Sequence, residues 1–144
     1  MHNERIETFN VVTVFLEHDG KILILRRSQK TKTMKSKWAG ISGYIENEDP
    51  LESALNEIRE ETGLTSDKLK LRQIGRTLKA VESDKPGIVW IIHPFLFESS
   101  TNLINTNWEH DSYEWVFAKE IQEYETVPKL KEALDNVLNI VEQE

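Results

Sequence analysis

Residues 43–64, GYIENEDPLESALNEIREETGL, decide how the rest of the chain is read. The stretch opens on Gly43, read as part of a turn, and its first half is acidic and irregular. Pro50 suits the first turn of a helix, and Gly63, just past Thr62, suits its end. Between them Leu51, Ala54, Leu55, Ile58 and Thr62 recur at spacings of three and four, which predicts one apolar face. Glu57, Glu60 and Glu61 stand at i, i+3 and i+4 and share a second face, roughly a quarter to a third of a turn away. Like charges at that spacing repel, by roughly a few tenths of a kcal/mol per pair in an isolated helix. A divalent cation is one physical reason to keep them, because Mg²⁺ takes oxygen ligands from a few carboxylates and shares substrate phosphates. A solvated acidic face is the plainer reading of E-x-x-E-E taken alone.

The whole chain sets outer bounds. Its 144 residues suit one domain, 1–144, able to bury roughly two thirds of its unfolded surface. There is no cysteine, which removes disulfide frameworks and thiolate metal sites and fits a reducing cytosol. The net charge is −7, from 25 acidic and 18 basic residues, and disfavours non-specific nucleic-acid binding. It leaves room for a small phosphorylated ligand, since a bound metal reverses the local sign. No apolar run reaches membrane-spanning length, and MHNERIETFN is too polar for a signal peptide, so a cytoplasmic protein is expected.

Upstream, Phe9–Glu17 and Lys21–Leu25 read as strands apolar on both faces, joined at Asp19-Gly20 in a hairpin. Strands of that kind belong in a sheet covered by helices on each side, which predicts an α/β/α sandwich. Arg26 and Arg27 open a basic stretch through Lys30, Lys32, Lys35 and Lys37. Downstream, Leu69–Leu78 predicts a strand, with Lys79–Ser83 continuing or adjoining it. A turn over Ser83–Gly87 leads into the apolar strand Ile88–Phe97. Pro94 implies an edge position or a bulge there, and His93 reads as a structural histidine. Glu98–Asn107 reads as a flexible loop, Tyr113–Val116 as a strand and Ala118–Tyr124 as a short helical piece. A last helix is predicted from Val127-Pro128, with Leu130, Leu134, Val137, Leu138 and Val141 on its apolar stripe.

Gly43, Glu48, Glu57, Ile58, Glu60, Glu61, Gly63 and Leu64 together resemble the Nudix box, G-x5-E-x7-R-E-U-x-E-E-x-G-U. Two positions depart from it. Four residues rather than five separate Gly43 from Glu48, and Asn56 stands where the family has an arginine that braces the glutamates. The resemblance implies a Nudix-type sandwich with a mixed central sheet, and a Mg²⁺-dependent pyrophosphohydrolase that also accepts Mn²⁺. Its substrate would be a small nucleoside diphosphate linked to another group. Carried over by position, Glu57, Glu60 and Glu61 become metal ligands, with Glu48 supporting them and the Gly43 carbonyl joining the metal shell. Glu109, shortly before the tryptophan-bearing strand, becomes a further acidic residue, as ligand or general base. His110 beside it could serve as a base or a substrate contact. Arg26, Arg27 and Lys37 fall where the family sets cations against substrate phosphates; a solvated basic loop is the other reading. The absence of cysteine sets aside the isopentenyl diphosphate isomerases, which share this fold. The segments SGYIE, HPFLFE, WEH and TVPKLKEAL also look like archaeal Nudix modules, some joined to initiation-factor-2B-like domains. Homodimers are common among such proteins. Two other functions stay open at this stage, a nucleotide-binding regulatory module with little turnover and an RNA-end pyrophosphohydrolase.

Overall fold

Asp19 and Gly20 both adopt positive φ, 51° and 78°, as a two-residue hairpin turn of the primed kind requires. They join β1 (Glu7–His18) to β2 (Lys21–Arg27), with His18 opposite Lys21. The computed structural model describes residues 5–82 and 85–142. After β2 the described chain runs through β3 (Trp38–Ala39), β4 (Ile41–Tyr44), α1 (Pro50–Thr62), β5 (Leu69–Ile74) and β6 (Leu78–Glu82). It then continues through β7 (Lys85–Ser99), β8 (His110–Val116) and α2 (Leu130–Glu142). One mixed sheet holds all eight strands: β1 and β7 run parallel from Glu7 opposite Ile88 to Glu17 opposite Glu98, and β1 is antiparallel to β2 and β4.

Strand alternation distributes the core. Val12, Val14 and Leu16 of β1, Leu23 and Leu25 of β2, and Phe95 and Phe97 of β7 lie with Ala54 and Ile58 of α1. Phe15, Ile22, Ile24 and Leu96 lie on the opposite face with Leu130, Leu134 and Val137 of α2. Consecutive residues therefore feed two cores, the reason these strands are apolar on both sides. The α/β/α sandwich is the observed architecture.

Several expectations need correction. Gly43 lies inside β4, opposite Val12, and not in a turn. The 69–78 segment is not one strand, because Gly75–Thr77 separates β5 from β6. Pro94 is not at an edge: β7 pairs with β1 on one side and with β5 and β6 on the other. The N–H that proline lacks falls at the break, where the Gly75 N–H donates to the Pro94 carbonyl at 2.9 Å. Glu98 and Ser99 belong to β7, and the loop after them is tied down. The Ser100 and Asn105 N–H groups bond the Lys68 and Thr62 carbonyls, both at 2.9 Å, and Ile104 is buried. The last helix starts at Leu130 rather than Val127, because the Val127 N–H bonds the Trp38 carbonyl and Lys129 takes a positive φ of 70°. Ser83-Asp84 of the expected turn, Met1–Glu4, and the side chain of Val141 lie outside the described residues, and Lys85–Gly87 already belong to β7.

Gly75 has a packing reason to be glycine. A β-carbon there would sit 2.6 Å from Asn136 Oδ1, 2.8 Å from Pro94 Cγ and 2.9 Å from Val137 Cγ1. Asn136 is itself fixed by hydrogen bonds to the Arg76 N–H and carbonyl. Gly75→Ala is therefore expected to cost about 1–3 kcal/mol of stability by overpacking, readable as a lower denaturation midpoint.

Candidate active site

The box helix is anchored at both ends by its own residues. Asp49 caps the N-terminus, its Oδ1 accepting from the Glu52 N–H at 2.8 Å, and Gly63 closes the C-terminus at φ 78° with its N–H on the Arg59 carbonyl. With Ala54 and Ile58 locked into the core, the three glutamates are graded in depth. Glu60 is exposed, Glu57 is half-buried, and the Glu61 side chain keeps only 3 % of its surface. The expected second face is thus only partly separate from the first.

The Glu57 carboxylate lies directly over Gly43. A β-carbon built on Gly43 would overlap that carboxylate, which is why β4 carries glycine at this point. Glycine serves here for space and not for φ. Ser53 Oγ also reaches the Tyr44 carbonyl at 3.4 Å, so helix and strand touch at the site itself.

Glu109 arrives from the other end of the sequence. The Ser28 N–H donates to the Glu109 carbonyl at 2.8 Å and Ser28 Oγ to the Trp108 carbonyl at 2.7 Å, fixing this segment against the end of β2. His110, next along, is buried with Nε2 3.8 Å from Glu61 Oε1. The Glu109 charge acts on both Glu57 and Glu61, so the four acids share one neighbourhood, with Glu48 adding a weaker push at its rim.

The electrostatics of the cluster are unfavourable as they stand. Burial, then the charges of Glu60 and Glu109, pushes the Glu57 carboxyl up to about 7. Burial, then Glu57 and Glu109, drives Glu61 well above the ordinary range. Glu48 at the rim is lowered, chiefly by backbone N–H groups. Burial, then the Arg27 guanidinium, holds His110 down at about 4, so it is a neutral imidazole at neutral pH. Glu61 Oε2 and His110 Nδ1 are buried with no hydrogen-bond partner.

These features fit a divalent cation: an orphaned buried carboxylate oxygen, a second carboxylate lodged over a glycine, and acids that repel one another. Among the described residues no group of three or more His, Cys, Asp or Glu side chains is arranged to hold a metal ion by itself. Mg²⁺ does not need such a group, since it keeps several waters and shares substrate phosphates. Without added metal, both buried carboxyls hold protons more tightly folded than unfolded. Stability is then fully present below the usual carboxylate pKa near 4.5 and is lost as pH rises towards 7. For Glu57 the loss is about 1–2 kcal/mol after discounting for solvent screening. Thermal denaturation in EDTA should show this fall between pH 5 and 8. Mn²⁺ should restore more stability at pH 8 than at pH 5, up to about 2.7 kcal/mol at a hundredfold excess over its Kd.

The cations are divided. Arg27 is close enough to act on His110, and its Nε donates to the Thr33 carbonyl at 3.1 Å. Arg26 is paired with Asp111 at 2.8 Å, and Lys37 with Glu125 at 3.5 Å. The structure brings Glu57, Glu60, Glu61, Glu109 and Gly43 together and engages Arg26 and Lys37 with other carboxylates. Ser28 and Asn107, which hold the Glu109 segment, have no local signal in the sequence. His93 bonds Asn10 at 3.0 Å, as a structural histidine would.

A family model described as the NUDIX domain matches residues 6–137. No curated protein matches the chain. Among solved structures, the MutT protein from Methanosarcina mazei Go1 superposes with a TM-score of 0.74 at 22 % identity, over 99 % of this chain and 100 % of that one. The E. coli dihydroneopterin triphosphate pyrophosphohydrolase gives 0.72 at 20 % identity, over 92 % and 95 %. A C. elegans Ap4A hydrolase gives 0.73 at 15 % identity, over 96 % and 100 %. At these identities the structural likenesses establish the fold.

Proposed function

The chain belongs to the Nudix family and is a pyrophosphohydrolase by class, and from that premise we propose that it hydrolyses the pyrophosphate bond of a nucleoside diphosphate linked to a second group, with Mg²⁺ as cofactor and Mn²⁺ as substitute. The observation that carries this reading is the convergence of Glu57, Glu60, Glu61 and Glu109 beside Gly43, with a buried Glu61 oxygen left unpartnered. Glu57, Glu60 and Glu61 would hold the metal, with the Gly43 carbonyl beside them and Glu48 supporting from the rim. When bound, Mg²⁺ would neutralise the diphosphate and polarise the bond to be cut.

The chain's own part follows from its geometry. Gly43 leaves room for Glu57 to stand at the sheet surface, and the buried Glu61 gives the cluster a rigid floor. Water attacks one phosphorus; its oxygen bonds there while the bridging P–O bond breaks, and that electron pair leaves with the departing phosphate. Glu109, the acid of the cluster that comes from outside the helix, would stand beside the metal, add to its hold and accept the water's proton. Arg27, the 28–37 loop and residues 98–112 would contact the departing side, and Arg26 and Lys37 would reach phosphate only by leaving their present carboxylate partners.

The test is product release from a panel of ADP-ribose, Ap4A, NADH, sugar nucleotides, dihydroneopterin triphosphate and (d)NTPs, with Mg²⁺, Mn²⁺ or EDTA. Metal-dependent cleavage of one class supports the reading and identifies the substrate group. Cleavage that survives EDTA contradicts it. Asn56, half-buried where the family's bracing arginine would stand, favours a second reading, a nucleotide-binding module with weak turnover. Calorimetric binding of a panel member with no product over hours would support that second reading, and Asn56→Arg would then be expected to raise turnover. Capped or triphosphorylated RNA as sole substrate would move the assignment to RNA ends.

A further inference from the structure

Asn107 occupies the junction between the box helix and the segment that carries Glu109. Its Nδ2 donates to the Glu60 carbonyl at 3.1 Å, one of the helix-terminal carbonyls that the helix itself leaves without a partner. Its Oδ1 accepts the Glu109 N–H at 3.0 Å, and its own carbonyl accepts the His110 N–H at 3.2 Å. One side chain therefore links the last turn of α1, which bears Glu60 and Glu61, to the backbone of Glu109. The Ser28 N–H holds the Glu109 carbonyl from the opposite side, so the peptide is gripped from two elements.

We propose that Asn107 is a positioning residue that sets the Glu109 carboxylate against the box glutamates. The proposal rests on the reading of Glu109 as part of the site. Were Asn107 only a helix cap, the Nδ2 bond would be enough for that purpose. The second bond, to Glu109, is what couples the cap to the site. The short polar loop Asn105-Thr106-Asn107 is thus a strut whose length and amide set where the fourth acid stands. Glu60 and Glu109 are tied to the same asparagine, one through its backbone carbonyl and the other through its N–H.

The test is Mn²⁺ affinity of the intact protein at pH 7.5, read by electron paramagnetic resonance of free Mn²⁺, with the melting temperature recorded in EDTA. Partners of this kind typically cost about tenfold to a hundredfold in metal affinity when removed, so Asn107→Ala should weaken Mn²⁺ about tenfold. Asn107→Ser can still take the Glu109 N–H but cannot span to the Glu60 carbonyl, and should fall between wild type and Asn107→Ala. The deciding comparison is with Glu109→Gln. If Asn107 acts through Glu109, the double variant binds Mn²⁺ no more weakly than Glu109→Gln alone. Wild-type affinity in Asn107→Ala, or losses that simply add in the double variant, would overturn the proposal and leave Asn107 a cap. Wild-type affinity in Glu109→Gln would instead remove Glu109 from the metal site and take this role with it. If Asn107→Ala does not fold, the Asn107→Ser and Glu109→Gln pair gives the same comparison.

Discussion

Glu61→Gln is expected to lower turnover by about a hundredfold to ten-thousandfold while raising the stability of the protein in EDTA at pH 7.5. The two effects have opposite signs because Glu61 is costly where it sits. It keeps 3 % of its side-chain surface, its Oε2 has no partner, and burial with the Glu57 and Glu109 charges drives its carboxyl well above the usual range. Gln keeps the shape and the Oε1 acceptor near His110 and removes the ionisable group, so the charge that is costly at this depth is gone. A carboxylate kept for packing alone would give the reverse, a loss of stability with turnover unmoved. Denaturation in EDTA and steady-state turnover on the same preparation decide between them.

Gly43→Ala should be nearly silent in stability and severe in turnover. The new methyl would meet the far end of Glu57, a flexible half-buried side chain that can swing away at little expense to the fold. Backbone strain does not enter, since Gly43 is an ordinary strand residue of β4. What is lost is the placement of a carboxylate, and displacements of about 1 Å at a reacting centre cost about a hundredfold. Gly75→Ala is the matched control, with similar crowding against fixed atoms of Asn136, Pro94 and Val137, so that stability falls. Comparable losses of melting temperature in both alanine variants would contradict the distinction.

Local signals carry much of this structure. Pro50 and Gly63 bound the box helix correctly, because both act through backbone geometry that needs no distant partner. Asp19-Gly20 and the two-sided apolar strands point to the hairpin and the two covering layers for the same reason. The burial of Glu61 is readable in principle, since it lies three residues after Ile58 and seven after Ala54 on the core side. Its membership of an acidic triplet draws it instead onto the solvent face. The break at Gly75 is set by Asn136 of α2, and the start of α2 by a bond between Val127 and Trp38, so neither has a local marker. Asn107 meets Glu60 across 47 residues, and in sequence it is one polar residue among several in a loop. Glu109 is reached only through family resemblance; its neighbours, and not its own sequence context, place it by the cluster.

On the proposed reading, the carboxylate cluster around Gly43 drives metal-dependent cleavage of a pyrophosphate bond. The deciding measurement is nucleoside monophosphate release from the nucleotide members of the substrate panel, with wild type and Glu61→Gln side by side in Mg²⁺ and in EDTA. The expected result is monophosphate from wild type in Mg²⁺ only, and at least about a hundredfold less from Glu61→Gln. Monophosphate formed in EDTA, or at equal rates by both proteins, would contradict it.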